Sequence, residues 1–342
     1  MLYFYRRFKS CVMKRTLLIL SQIPVFLLLL AGCKENQRPM LPPVAGTAYD
    51  VLVVMPKYQW EGVLGDTMRS LLAYPIPYFP QREPILTLRH VQPDGFKGIF
   101  QTYRNVLIIS IGNQYDKARL LLSRDVSAKT QIIYELQGPN QAAVIDLLVQ
   151  NSQQIVGTIL NTERLRTVEL NKKYYDKNIH DKLLKNHSLS LSIPQGFAIQ
   201  VDTGNFVWIE QMRGDNILGL LIWTYPYKDT LQLIKQALLV KRNEILRRNV
   251  PGKDPGSYMT TEKIFEPLFD VNRLGNQIFY QLSGLWTVEK GFMGGPFINV
   301  TTIDHARKRI VTVDGFVFAP NQQKRNWLFQ LEAIAYTISF PE

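Results

Sequence analysis

The stretch Asn105-Val106-Leu107-Ile108-Ile109-Ser110-Ile111, closed by Gly112-Asn113, is the clearest fold signal in the sequence. Its apolar residues follow one another without alternation, which is typical of a strand buried on both faces of a parallel sheet. Residues 49–55 form a similar apolar run and are predicted as another buried strand. Shorter strands are predicted at 86–91 and 131–136. Segments whose apolar residues recur at helical spacing lie between these strands. This alternation of strands and helices predicts an α/β layer structure.

Helices are predicted between these strands. Apolar residues at helical spacing indicate a helix over residues 60–74 and a short one over 96–102. A long helix is predicted to begin at Gly138-Pro139-Asn140, where proline suits the first turn, and to continue to about Tyr175. The sequence therefore predicts an α/β domain over residues 47–178 that ends in this long helix.

Residues 176–186 are charged and poorly periodic and are interpreted as a linker. After this linker the pattern of apolar and polar residues changes. Residues 188–193 alternate strictly between polar and apolar, which predicts a half-buried strand. One helix is predicted from Asp229, as its cap, to about Arg248, and a last helix follows Pro320. Further strands are predicted at 197–201, 206–211, 217–225, 277–287, 298–304 and 309–318. This order predicts an α+β domain over residues 187–342, with a mainly antiparallel sheet and two helices.

Residues 1–32 follow the plan of a cleavable signal peptide: a basic start, an apolar run and small residues. The run over residues 17–30 is shorter than the roughly 20 residues that a spanning helix needs. Leu30-Ala31-Gly32-Cys33 resembles the lipobox of bacterial lipoproteins, which implies cleavage after Gly32 and a lipid on the thiol of Cys33. The alternative is an uncleaved anchor, and Met1 and Met13 both remain open as the start.

The segment after Cys33 indicates how the protein is held. Residues 33–46 are polar and proline-rich, which predicts a tether between the lipid and the folded part. Stable anchoring needs more than one acyl chain, which a lipidated N-terminal cysteine supplies. An acidic residue after the cysteine favours the inner membrane in well-studied envelopes, whereas this chain has Lys34. We therefore predict an outer-membrane location, facing either the periplasm or the cell surface.

Composition and charge exclude several classes of function. The 342 residues are 46% hydrophobic and 20% charged, as in a globular protein. Without residues 1–32 the chain holds 35 basic against 28 acidic residues, a net charge of about +7. This surplus suits an anionic membrane surface or plain solubility, and no dense basic run indicates a nucleic-acid groove. With Cys11 removed and Cys33 lipidated, no cysteine remains for a disulfide or a metal site.

Residues 284–297 are the strongest candidate for a functional surface. Their aromatic side chains and glycines would let ring faces and backbone approach a partner closely. The alternative, favoured because core aromatics are common, is a strand–turn–strand in which Trp286 and Phe297 fill the core. The candidate partner surface consists of Trp286, Phe292, Met293, Gly294, Gly295, Pro296 and Phe297.

A second candidate site follows the first strand, where α/β sheets often bind ligands. Trp60 and Asp66 are the candidate pocket residues, although an acid such as Asp66 is more often a helix cap. The segment lacks the Gly-Lys-Ser/Thr ending of a phosphate loop, and no nucleophile elbow is present. Neither a metal nor a cofactor is predicted, because no metal-binding spacing connects the four histidines, His90, His180, His187 and His305.

Residues 284–297, together with 315–320 and Lys324-Arg325, resemble an uncharacterised lipoprotein family found mainly in Bacteroidetes. Residues 51–55, 60–67 and 104–108 are similar to the same family, so the resemblance covers essentially the whole mature chain. It implies a domain of unknown function and brings no activity or catalytic residues. Thr67 and Thr230 each lie in an Asp-Thr-apolar triplet, the pattern used for O-glycosylation in these bacteria.

Three hypotheses about function follow. The preferred one is a non-enzymatic, lipid-anchored envelope protein that binds a protein or a glycan. The alternative is a hydrolase acting on cell-wall or dietary glycan, with acids such as Asp66, Glu289 or Asp314 converging in a cleft. A third is a packing or scaffold subunit of a larger outer-membrane machine.

Overall fold

The computed structural model describes residues 40–341, and the chain from Pro42 onward forms one compact unit. The predicted signal peptide (residues 1–32), with Leu30, Ala31 and Gly32, and the lipidation site Cys33 lie outside the described residues. Within residues 40–341, no helix is both long enough and apolar enough to cross a bilayer.

The first half of the unit is built on a five-stranded mixed sheet. Its strands are β1 Asp50–Val54, β2 Thr87–Val91, β3 Asn105–Ile111, β4 Arg119–Arg124 and β5 Ile132–Gly138, in the order β2-β1-β3-β5-β4. All neighbours are parallel except β4, which runs antiparallel to β5. The helices are α1 Lys57–Trp60, α2 Val63–Leu72 and α3 Gln141–Lys173, with 3-10 turns at Pro93–Gly95 and Gly98–Thr102. The predicted α/β fold of this half is confirmed.

The second half is built on an antiparallel sheet of eight strands. They are β6 Ala198–Asp202, β7 Phe206–Arg213, β8 Asn216–Pro226, β9 Tyr258–Thr261, β10 Leu268–Leu274, β11 Gln277–Glu289, β12 Gly294–Asp304 and β13 Arg309–Phe318. The order is β10-β11-β12-β13-β8-β7-β6, and β9 pairs with the far end of β11. The helices are α4 Lys177–His187, α5 Lys235–Asn249 and α6 Arg325–Ala335, and a 3-10 turn, Thr230–Leu233, precedes α5. The α+β prediction is confirmed.

Both faces of the antiparallel sheet are covered. Because side chains alternate along a strand, Leu220 and Ile222 of β8 enter a core that also contains residues of the first sheet, α3 and α6. Their neighbours Leu221 and Trp223 enter a second core beneath α5. The two halves therefore share one hydrophobic core, while α5 has a core of its own with the sheet.

A buried carboxylate also joins the two halves. Glu83, in the loop before β2, accepts hydrogen bonds from the backbone N–H groups of Lys324 and Arg325 at 2.8 to 3.0 Å. These groups belong to the first turn of α6, where unpaired N–H groups and the helix dipole favour a negative charge. Glu83 thus caps a helix that lies more than two hundred residues away in the sequence.

Several local predictions differ from the structure. Residues predicted as a linker form α4, because Asp176 caps the helix and buried Ile179 and Leu183 lie four residues apart. Residues 188–193 bury their apolar side chains as predicted, but they form an isolated bridge between Ser190 and Ser339 in place of a strand. Asn140 is the cap of α3, so the proline before it precedes the helix.

Candidate functional site

The predicted partner surface divides into a buried and an exposed part. Trp286 of β11 and Phe297 of β12 are buried in the core beneath α5, and Gly295 and Pro296 are buried with them. The Trp286 ring packs edge-on against Phe316 with centroids 5.5 Å apart, and its Nε1 donates to the Val317 carbonyl at 3.3 Å. These side chains fill the core, so a partner cannot contact them in the folded protein.

The exposed part is the turn between β11 and β12, residues 290–293, called the hairpin tip below. Lys290 adopts a left-handed backbone conformation with φ of 60°, which turns the chain. Phe292 is fully exposed and Met293 is partly exposed, while Gly294 begins β12 and is half-buried. The hairpin tip therefore presents an apolar pair to solvent.

A groove open to solvent lies between α5 and β9, with a volume of about 590 Å³. It is called the arginine groove below and is lined by Asn243, Glu244, Arg247, Arg248, Tyr258 and Thr260. In the pairing of β9 with β11, Tyr258 lies opposite Glu289, the residue before the hairpin tip. The groove and the hairpin tip are therefore connected through the paired strands β9 and β11.

The charges of the groove are set by α5. The guanidinium of Arg247 lies 5.2 Å from the centroid of the Tyr258 ring, within range of a cation–π interaction. Glu244 accepts a hydrogen bond from Lys241 at 2.6 Å, which holds the pKa of this carboxyl below its usual value, and Arg248 lies 3.6 Å away. Both arginines of the groove are exposed, so their charges face solvent.

Buried polar contacts fix the two walls of the groove. Arg242, on the inner side of α5, donates from Nη1 to the Thr261 hydroxyl of β9 at 2.7 Å. The Asn243 Oδ1 accepts from the Thr261 backbone N–H at 3.1 Å and from its hydroxyl at 2.7 Å. Hydrogen bonds in such surroundings are strong because little water competes for them. The walls are therefore held at a fixed separation.

The candidate pocket residues Trp60 and Asp66 are brought together by Arg69. The Trp60 ring stacks on His90, with centroids 5.0 Å apart and planes 3° from parallel, and the Arg69 guanidinium lies 4.7 Å from its centroid. Arg69 also bonds the Asp66 carboxylate at 2.7 Å. The stacking position beside Trp60 is thus already occupied by the protein's own side chains.

The acids suggested for hydrolysis do not converge. Asp314 is fully buried and paired with Arg242. Asp314 of β13 pairs with Asn299 of β12, which in turn pairs with Leu282 of β11. Glu289 lies seven residues beyond Leu282 on β11. At about 3.3 Å per residue this separation is roughly 23 Å along the strand, against the roughly 5 to 9.5 Å between the carboxyl groups of glycosidases. Asp66 is exposed on α2 and paired with Arg69. The separation of Asp314 from Glu289 excludes a glycosidase cleft that contains both of these acids.

The histidines occupy separate sites. His90 Nε2 lies 2.9 Å from the Met55 carbonyl, and His180 Nε2 lies 2.9 Å from the Ser190 hydroxyl. His187 is buried, 2.6 Å from Asp202, because the segment predicted as an exposed linker is a helix. His305 is exposed. Within the described part of the chain, no group of three or more His, Cys, Asp or Glu residues is placed to hold a metal ion.

The two predicted glycosylation threonines differ in accessibility. Thr67 is half-buried within α2, and its hydroxyl donates to the Val63 carbonyl at 2.8 Å. Thr230 is exposed at the first residue of the 3-10 turn that Asp229 caps. Of the two hydroxyls, that of Thr230 is the more accessible to a transferase.

The arginine groove was not predicted from the sequence. Arg247-Arg248 near the end of a predicted helix was the only local signal, and paired basic residues are common at that position. Tyr258 lies in a short strand outside the predicted elements, and its partner Glu289 is 31 residues away. The groove arises from this long-range pairing.

Two family models match the chain. Residues 44–172 match a domain of unknown function (DUF8532), and residues 176–337 match a second domain of unknown function (DUF4837). These matches fit an uncharacterised family. No curated protein matches the chain.

Two solved structures have weak similarity to the chain. LpqN of Mycobacterium tuberculosis, described as involved in cell envelope biogenesis, is 12% identical, with 45% of this chain and 83% of LpqN covered and a TM-score of 0.28. The lipid transfer and protein localization domain of human StarD13 (DLC2) is 10% identical, with 56% and 95% covered and a TM-score of 0.23. At these values neither likeness bears on function.

Proposed function

For a chain built from two domains of unknown function, we propose a non-enzymatic binding role in the bacterial cell envelope. A lipid on Cys33 holds the protein in the outer membrane, and the arginine groove together with the hairpin tip binds a protein or glycan partner. One observation carries the proposal: Tyr258 of a groove that presents Arg247 and Arg248 pairs with Glu289, which directly precedes the hairpin tip and its fully exposed Phe292.

The residue types at this surface support binding. Aromatic residues and arginine are enriched at binding hot spots, where an apolar anchor is combined with directed hydrogen bonds. The contacts of Arg242 and Asn243 with Thr261 hold the groove walls in place before a partner arrives. Less conformational entropy is then lost on binding, which leaves more of the contact energy for affinity.

The charges of the groove indicate the chemistry of the partner. Guanidinium groups bind carboxylates and phosphates through paired hydrogen bonds, and Arg247 and Arg248 are both exposed. We propose a partner that places an anionic group in the groove and an apolar patch against Phe292. An acidic protein surface or an acidic glycan meets both requirements.

The wider assignment rests on sequence. Residues 284–297 and 315–320 support placing the chain in the uncharacterised lipoprotein family of Bacteroidetes, and Leu30-Ala31-Gly32-Cys33 supports the lipid anchor. The wide separation of Asp314 and Glu289 supports a role without glycosidase chemistry. A scaffold subunit of a larger envelope machine is a special case of the same binding role.

Photo-crosslinking in living cells tests the proposal. A photoreactive amino acid replaces Phe292 in one strain and Ile264 in another; Ile264 is a matched control because it is an exposed apolar residue, 92% accessible, in a loop of the same half. We expect a discrete adduct from position 292 that is lost with Arg247→Glu and Arg248→Glu, and none from position 264. Equal labelling at both positions, or an adduct insensitive to the arginines, would contradict the proposed surface.

A further inference from the structure

The chain joins the folded unit at a defined edge of the five-stranded sheet. The Lys129 N–H donates to the Pro42 carbonyl at 2.8 Å. The Ala45 N–H donates to Thr102 at 2.9 Å, and the Ala45 carbonyl accepts from Arg104 at 3.0 Å. The part of the predicted tether that begins at Pro42 is therefore attached to the unit.

This edge is the amino-terminal edge of the parallel strands. Residues 42–46 lead to β1, residues 98–104 lead to β3 and residues 125–131 lead to β5. The starts of parallel strands lie at one edge of a sheet. The Gln131 side chain donates to the carbonyls of Gln101 at 2.6 Å and Tyr103 at 2.8 Å, which ties the last two segments together. The three segments are called the amino-edge surface below.

The amino-edge surface exposes apolar and basic side chains together. Ile99 is 70% exposed, and Phe100 and Val126 are also exposed. Exposed Lys97, Arg124 and Lys129 belong to or flank these segments, as do the acids Asp94 and Asp125. These three cations outnumber the two acids by one. Exposed apolar side chains accompanied by cations suit the interface of an anionic bilayer, where the apolar side chains enter the headgroup region and the cations meet phosphates.

We propose that the amino-edge surface rests on the membrane that holds the lipid anchor. The proposal rests on the lipidated Cys33 of the proposed function. Cys33 precedes Pro42 by nine residues, and at no more than about 3.5 Å per residue these reach roughly 30 Å. The surface where the chain enters the fold therefore stays within roughly 30 Å of the acyl chains.

The proposal also orients the molecule. The carboxyl-terminal edge of the same sheet carries the β1–α1 loop and the start of α2 at Val63. With strands of five to seven residues, this edge lies about 17 to 23 Å farther along the strand direction. Val63, which is 65% exposed, faces away from the bilayer and provides a control matched to Ile99 in exposure and apolar character.

Depth-dependent quenching tests this orientation. The Cys33 thiol is consumed by the lipid, so Ile99→Cys or Val63→Cys supplies the one reactive thiol of the mature lipidated chain, and it is labelled with an environment-sensitive fluorophore. Each protein is reconstituted into phosphatidylethanolamine–phosphatidylglycerol vesicles with or without brominated acyl chains. We expect the label at residue 99 to lose most of its emission in brominated vesicles and the label at residue 63 to keep its emission.

The outcomes separate the two proposals. If the protein floats with the vesicles but the label at residue 99 is unquenched, or both labels are quenched equally, the membrane-facing surface is wrong while the anchor stands. If the protein does not float with vesicles, the lipid anchor is wrong, and the orientation derived from it is overturned as well.

Discussion

The guanidinium of Arg242 and the carboxylate of Asp314 form an ion pair in which neither side chain has any solvent exposure. Its two hydrogen bonds measure 2.7 and 3.2 Å, and Asn299 donates to the same carboxylate at 2.9 Å. The guanidinium carbon lies 3.5 Å from the centroid of the Phe297 ring. The pair joins α5, one wall of the arginine groove, to β13 in the middle of the sheet.

We expect Arg242→Met to lower the free energy of unfolding by about 3 to 5 kcal/mol, because it leaves the Asp314 carboxylate buried without a counter-charge. The double variant Arg242→Met, Asp314→Leu should lose less, because no isolated charge remains. Urea unfolding measures both. Arg248→Met is the control, since its exposed pair with Glu244 contributes about 0 to 1 kcal/mol. A loss in Arg242→Met no larger than in this control would contradict the argument.

The two phenylalanines of the segment 284–297 have different roles, and substitution separates them. Phe297→Ala removes a fully buried ring and should cost about 3 to 5 kcal/mol of unfolding free energy. Phe292→Ala should change stability by less than about 0.5 kcal/mol, because this ring is fully exposed. The Phe292→Ala substitution should instead weaken binding of the partner. Thermal and urea unfolding of both variants provide the check, and equal losses of stability would count against the assigned positions.

Gly295 is required by a close approach of two strands. An added Cβ would lie 2.1 Å from the Val317 carbonyl oxygen, a backbone atom that cannot move without disturbing β13. We expect Gly295→Ala to destabilise the protein by about 1 to 3 kcal/mol or more through overpacking. Gly204→Ala, where no atom lies within 4 Å of the added Cβ, should be nearly neutral. If the two midpoints of denaturation shift alike, the steric argument fails.

Tyr225 links stability to alkaline pH. Burial raises the pKa of its phenol to about 12, against about 10 in an unfolded chain. Below pH 10 the phenol is protonated in both states, so its contribution to stability is complete. As pH rises from about 10 through 12, the unfolded state loses the proton first and this contribution is lost. Tyr225→Phe should therefore lose stability less steeply over this window in urea titrations; identical slopes would contradict the assignment.

The buried strands could be predicted because their signal is local. The apolar run of β3 and the run at β13 have the bounds expected from sequence, since each strand is covered on both faces. Strand β4 was missed because it lies at an edge, is mostly exposed and has no alternation. Helix α4 was missed because its polar surface outweighs the two buried apolar residues.

The candidate site was predictable only in part. The composition of residues 284–297 indicated both a core and a surface, and the structure assigns Trp286 to the first and Phe292 to the second. The arginine groove depends on the pairing of Tyr258 with Glu289 and on the anchoring of α5 by Arg242. Neither contact corresponds to a periodic pattern or a fixed spacing in the sequence, because each joins residues far apart in the chain. Tertiary packing alone therefore creates this site.

The most direct test of the account concerns Cys33, on which both the anchor and the orientation at the membrane depend. Cells are fed a clickable palmitate analogue, and the intact mass of the mature protein is measured beside a Cys33→Ala variant. We expect a chain that begins at residue 33, carries a diacylglycerol and an additional acyl chain, and takes up the label, with no label in the variant. A wild-type chain that is unlabelled, or that begins at another residue, would contradict the account.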